Sequence, residues 1–408
     1  MEAKQVAEAR AGAGDAPTED LPTRAKSVAA VAANHAVAGS HAIAVDSAAR
    51  FPAEAFQAVK AQRLLGIQVP RALGGEGLGI GEVADVCYQL GQACASTGMI
   101  FAMHQIKVGC IMRHMGENKT LQRMLRRLCA EQLLLASSTT EGQGGGNIRS
   151  SEAPVEHQED GRITLERRAS VISYGAYADG VVTTARRAAD AAASDQVLVA
   201  FFKSDYSLTR LQGWDALGMR GTCSEGYTLK ASGSAEQIIP EPYETIHTRT
   251  MVPFAHLLWG SVWTGIAAGA TARAQAFVRN AMRHGGQLPP GAPQFTRALA
   301  TLRTLRGMLA TSLRRYEQCM NDPQTLAGLE FQTLITLTKV EASELAAQTV
   351  MHAMRACGLS GYRNDSEYSI GRHLRDVLSS PIMINNDRIL ANLATPVLMS
   401  PIAASLRD

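Results

Sequence analysis

Between about residue 21 and Leu135 apolar residues recur three and four positions apart, as in Val83-Cys87-Leu90-Cys94, and Pro and Gly gather in breaks such as PRALGGEGLG (70–79). That spacing predicts a block of amphipathic helices. The period changes after Ala136. RITLERRASVISYG, DGVVTTARR, QVLVAFFK and GYTLKASGSAEQII are short, β-branched and alternating, with Gly, Asp and Ser between them, which predicts a strand-rich domain. Helical spacing returns in MVPFAHLLWGSVWTGIAAGATARAQAFVRNAMR, QFTRALATLRTLRGMLATSLRRYEQCM and QTLITLTKVEASELAAQTVMHAMRAC, broken at GGQLPPGAP. These long runs predict a C-terminal four-helix bundle. The expected class is therefore α+β and mainly α. Its parts are a mobile tail over 1–22, helices over 23–135, a strand domain over 136–247 and a helical bundle over 248–408.

Composition narrows the function. Hydrophobic residues are 46% and charged residues 19% of the 408, which excludes a globally disordered chain. A net charge of +3 with no long basic block argues against nucleic acid as a partner. The seven cysteines stand singly, as expected of buried thiols in a reducing compartment rather than a disulfide framework. No apolar stretch approaches the roughly 20 residues of a membrane span, and the first residues lack a secretion signal's apolar segment, so a cytoplasmic protein is expected. No metal-ligand spacing such as HExxH occurs, and no metal is expected.

Three segments, in order and at suitable separations, carry a resemblance: LLASSTTEGQGGGN (134–147), GWDALGMRGTCSEGY (213–227) and CGLSGYRNDSEYSIGRHLRD (357–376). With the helix, strand, helix order, they resemble the flavin-dependent acyl-CoA dehydrogenase superfamily over about residues 25–395. The resemblance implies a central β-barrel between two helical domains, with FAD at the barrel–bundle interface, or FMN supplied as reduced flavin. It places Thr139 and Thr140 against the flavin ring and Gly145 and Gly146 near its pyrophosphate, where glycines let backbone N–H groups approach a phosphate. It sets Ser173 at the hydroxyl position that hydrogen-bonds the ring and Val171 where an aromatic would shield it. Arg283 falls where a cation reaches a neighbouring subunit's pyrophosphate, Gly358 lies in the adenine-side turn, and Asn385 and Asn386 fall near the cofactor. A homodimer or homotetramer built through the bundle is implied as well.

The family's proton acceptor is missing. An acyl-CoA dehydrogenase removes an α-proton with a carboxylate while hydride leaves the β-carbon. Here the position of the usual glutamate holds Ile384, and the alternative position on the first bundle helix falls near Ala255, beside His256. Asp387, His104, Glu141 and His256 are the substitute candidates, with Asp387 and His104 foremost. Met103, His104, Ala255, His256, Met383 and Ile384 are expected around the substrate. Three readings stand at this point. One is α,β-dehydrogenation of an acyl thioester, carried by CoA or an acyl carrier protein, with an unusual base and a separate electron acceptor. Another is oxygenation by reduced flavin and O₂, with a flavin reductase as partner, as in secondary metabolism. The last is a binding subunit with impaired redox chemistry.

Overall fold

The structure is a computed structural model that describes residues 19–33, 41–141, 150–399, 402 and 405. Residues 1–18, most of the expected tail, lie outside the described residues. The first block holds α1 (Leu21–Ala33), α2 (His41–Ser47), α3 (Ala53–Ala61), α4 (Ile80–Ala93), α5 (Ala95–His114) and α6 (Lys119–Glu131). α6 shows why such segments become helices: the Asn118 side chain accepts from the amides of Thr120 and Leu121, and Leu121, Leu125 and Leu128 are buried along one stripe. α5 is buried almost all round. It is the central rod of the domain rather than a surface helix.

Among the described residues seven strands follow: β1 (Leu135–Ser138), β2 (Glu156–His157), β3 (Arg162–Ile172), β4 (Gly180–Arg186), β5 (Gln196–Phe202), β6 (Tyr206–Gln212) and β7 (Glu225–Ser234). Where the resemblance implies a central β-barrel, the strands of the described residues form two sheets, ordered β1-β4-β5 and β2-β3-β7-β6. β1 runs parallel to β4, and the other pairs are antiparallel. An isolated bridge, Glu141 to Ala169, stitches one sheet to the other. Next to it the β3–β7 register shifts between Ala169 and Ile172. A bulge of this kind turns side chains out of the alternating pattern, and Ser170 and Val171 fall in it.

The bundle begins with α7 (Tyr243–Ile246), a π-helical turn (His247–Met251) and α8 (Val252–Gly285). It continues through α9 (Ala292–Cys319), α10 (Pro323–Ala327), α11 (Leu329–Cys357), α12 (Leu359–Tyr362), α13 (Gly371–Val377) and α14 (Asn386–Leu393). α8 packs against α4, α9 and α11. Its crossing with α4 has no room for side chains: a Cβ on Gly265 would lie 2.3 Å from the Tyr88 carbonyl oxygen, and one on Gly91 2.5 Å from that of Val262. The continuous helix Tyr243–Gly285 is long and apolar enough to cross a membrane, but its apolar window is wholly buried inside the protein. All seven cysteines are free thiols, six of them buried.

Candidate functional site

A cavity of about 1380 Å³ opens where the sheets meet the two helical blocks. Its sheet wall carries Ser137, Thr139, Thr140, Ser170, Val171 and Ser173; α5 contributes Met99, Met103, Ile106 and Lys107; α8 contributes Ala255, His256 and Trp259. Met383 and Ile384 close it from the loop before α14. Ile384 sits at φ 56°, a left-handed conformation that costs a β-branched residue of order 1–3 kcal/mol. The strain falls at the mouth of the cavity.

Hydroxyl groups on the sheet side form a directed chain. The Met219 carbonyl only accepts, so Thr222 Oγ1 donates to it at 2.8 Å; Ser224 Oγ then donates to Thr222 at 2.7 Å and Ser173 Oγ to Ser224 at 2.8 Å. The Ser173 proton is therefore committed, and lone pairs are what this hydroxyl offers the cavity. The 214–222 wall is pinned from behind. Asp376, buried on α13, accepts from the Met219 amide at 2.7 Å and lies 3.7 Å from Arg372. Burial pushes the Asp376 carboxyl up to about 6 against the pull of Arg372.

Thr139, Thr140, Val171, Ser173, Met103, Ala255, His256, Met383 and Ile384 all line the cavity, so the structure brings these expected positions together. The other positions lie elsewhere. His104 faces away: Nε2 donates to the Leu65 carbonyl at 2.8 Å and Nδ1 accepts from the Leu135 amide at 3.0 Å. Burial lowers its pKa to about 4, so it is a neutral bracket between the first block and β1, not a base. Asp387 is exposed in the first turn of α14 and does not line the cavity. Glu141 is bound by the Ser151 hydroxyl, the amides of Glu152 and Ala153, and Arg167 at 3.5 Å. Asn385 caps α14 by accepting from the Arg388 amide. Asn386 is buried in a structural knot, accepting from Lys339 Nζ at 2.6 Å and donating to Ser343 and Glu344. Gly358 ends α11 at φ 56°, and Arg283 is exposed in the last turn of α8. Gly145 and Gly146 lie outside the described residues.

His256 is the one candidate base at the cavity. Its Nδ1 donates to the Ile335 carbonyl at 3.1 Å, leaving the Nε2 lone pair as its only basic site. Burial, with Lys339 and His247 nearby, drives its pKa to about 3. Lys107, Tyr243, His247 and Gln332 also line the cavity and were not anticipated. Lys107 had a signal, as the one charged residue in the apolar run from Met99 to Ile111. Among the described lining residues there is no Asp and no Glu. They also hold no cluster of three or more His, Cys, Asp or Glu suited to a metal ion.

Comparison with known proteins fits this arrangement. The acyl-CoA dehydrogenase N-terminal domain model matches residues 18–132 and the C-terminal domain model matches 259–393. The chain belongs to the acyl-CoA dehydrogenase family. A probable acyl-CoA dehydrogenase of Mycobacterium leprae is 24% identical over 365 residues, 86% of this chain and 88% of that one. Among solved structures, FMN-bound TdsC from Paenibacillus sp. A11-2, described elsewhere as dibenzothiophene monooxygenase, has a TM-score of 0.79 at 16% identity. It covers 94% of this chain and 98% of its own. A nitrososynthase from Micromonospora carbonacea has a TM-score of 0.76 at 20% identity, covering 93% and 95%. At these identities the likeness to the solved structures is one of fold.

Proposed function

We propose that this chain is a flavin-dependent monooxygenase: reduced FMN or FAD and O₂ deliver one oxygen atom to a small substrate, and the second oxygen leaves as water. The two electrons come from the flavin, which a flavin reductase replenishes. The observation that carries this reading is that the described residues lining the cavity include no carboxylate. Removing the α-proton of a thioester requires a base of suitable strength within reach of the carbon. Asp387, His104 and Glu141 are turned away or already bound, and His256 at about 3 is far too weak at neutral pH.

The residues fit a flavin. A volume of about 1380 Å³ exceeds the usual range for a single small ligand, roughly 300–1,000 Å³, and leaves room for a ring and a substrate together. Thr139, Thr140 and Ser173 line a cavity whose wall is otherwise mostly apolar, as a tricyclic ring needs, and Ser173 offers lone pairs suited to a ring N–H. Trp259 Nε1 is buried in the lining without a hydrogen-bond partner among the described residues, as expected where a ligand completes the set. Bound reduced flavin supplies the electrons that activate O₂. The chain's own part is to exclude water with Met99, Met103 and Met383, to hold the ring edge, and to position the substrate. Named relatives run in the same direction, since TdsC is a monooxygenase and nitrososynthases share the fold. The resemblance implies a homo-oligomer, and Leu359, Tyr362 and Ile382 are exposed apolar residues of the bundle suited to one.

The test is spectroscopic. Purified protein is titrated with FMN and FAD, and the loaded protein is mixed anaerobically with a panel of acyl-CoA thioesters. Flavin uptake without bleaching is expected; rapid bleaching by any thioester overturns the proposal in favour of dehydrogenation.

A further inference from the structure

One corner of the cavity, beneath the π-helical turn His247–Met251, holds a cation that the described residues do not balance. Lys107 is 3% exposed, and its Nζ has one hydrogen-bond partner, the Met251 Sδ at 3.0 Å. A thioether is a weak acceptor, and an ammonium carries three donors. The neighbouring Cys110 thiol gives no counter-charge, because burial pushes it up to about 12 and keeps it protonated. Arg167 lies behind this corner, close enough to act electrostatically on both Lys107 and Tyr243, and adds positive field. Its own charge is answered by Glu141 and by Thr183 and Thr184. Tyr243, which also lines the cavity, is 2% exposed, and its hydroxyl has no partner among the described residues.

A buried ammonium whose one partner among the described residues is a thioether, and a buried phenol on the same cavity with no partner among them, are costly unless something else completes them. Both groups donate, both line the cavity, and no acid competes for them among the lining residues.

We propose that Lys107 and Tyr243 form the subsite that takes a carboxylate at the end of the substrate remote from the oxidised atom, the ammonium donating to one oxygen and the phenol to the other. The assignment of the remote end rests on the oxygen-transfer reading; the anion subsite itself does not. The surrounding Met103, Ile106 and Met251 make the rest of that end apolar, so the preferred ligand is a short hydrophobic chain ending in a carboxylate. Neither group is offered to the flavin ring, whose hydroxyl wall lies on the sheet.

The experiment uses the intrinsic fluorescence of the three tryptophans, of which Trp214 and Trp259 line the cavity, and so needs no flavin. Heptanoate and 1-heptanol are titrated into the full-length protein and into Lys107→Met, Lys107→Gln and Tyr243→Phe. Heptanoate is expected to bind at least tenfold more tightly than heptanol to the parent. That preference is lost in both Lys107 variants while heptanol still binds, and it falls a few-fold in Tyr243→Phe. Flavin affinity, measured in parallel, is unchanged in Lys107→Gln. The proposal is overturned if the parent shows no preference, if the preference survives in both Lys107 variants, or if Lys107→Gln loses flavin in step with heptanoate, which would make the corner a flavin phosphate site. A protein that binds heptanoate as expected but takes up no flavin refutes the monooxygenase and leaves the subsite standing.

Discussion

Replacing Lys107 with Met should make the protein more stable, because the wild-type side chain is held against its own solvation. Burial lowers the Lys107 pKa from 10.5 to about 8. At about 1.4 kcal/mol for each tenfold change in proton affinity, the charged amine costs the fold at most roughly 3 kcal/mol. The sign follows from proton counting. Between pH 8 and 10.5 the unfolded chain keeps a proton that the folded chain has released, so the lysine's penalty shrinks as pH rises through that window and is complete below it. A methionine has similar length, fits a pocket already lined by Met103 and Met251, and titrates nowhere. Urea unfolding of parent and Lys107→Met is therefore compared at pH 7 and pH 10. The variant should be more stable by about 1–3 kcal/mol at pH 7, with a smaller gain at pH 10. A variant less stable than the parent at pH 7, or a gain that does not shrink with pH, would show that Lys107 is well paired in the unliganded protein and refute the reasoning. A stabilising change that abolishes ligand choice is the behaviour expected of a functional residue.

Four further outcomes follow from the geometry. His104→Ala leaves the Leu65 carbonyl and the Leu135 amide without partners and should cost about 2–4 kcal/mol in urea unfolding, whereas Asp387→Ala should be neutral within about 0.5 kcal/mol. Since the folded His104 pKa of about 4 lies below the ordinary 6.5, its contribution is complete above pH 6.5 and lost as pH falls through 4; the parent should lose stability over that range more steeply than His104→Gln. Asp376→Asn keeps an acceptor for the Met219 amide and removes a buried charge whose pKa is raised to about 6, so melting temperatures should favour the variant at pH 7 and converge with the parent near pH 4. Ser173→Ala deletes the open end of the hydroxyl chain, and flavin titration should show affinity reduced about 3- to 10-fold.

Much of the architecture was readable from hydrophobic period alone, because a chain that buries one stripe or one face must repeat at 3.6 or 2. The change of period at Ala136 lies beside the start of β1 at Leu135, whereas the helical return expected at 248 falls five residues inside the helix that starts at Tyr243. The strand order was not readable, since strand period says nothing about which edges pair. Thr139, Thr140, Val171 and Ser173 line the cavity because each lies at or just beyond the end of a strand, β1 ending at Ser138 and β3 at Ile172, where the chain leaves the sheet beside the helices. His104 shows the opposite case: in a helix buried all round, residues three apart point to different neighbours, so His104 went to the Leu65 carbonyl while Lys107 met the cavity. Asp387 and Asn386 depended on where the loop after α13 enters α14, a matter of tertiary packing against Lys339. Tyr243 and His247 come from the short helix α7 and the π-helical turn that follows it, and a π-helical turn has no clear sequence signature.

The central claim is that this cavity transfers oxygen and does not abstract a carbon-bound proton. Its most direct measurement is isotopic: the protein is supplied with enzymatically reduced FMN or FAD, ¹⁸O₂ and a panel of carboxylate-bearing amines, thioethers and aromatic compounds, and products are weighed by mass spectrometry. One labelled oxygen atom per product, dependent on reduced flavin, is the predicted result. Products that lose two hydrogens, gain no label and form equally well without O₂ would contradict it.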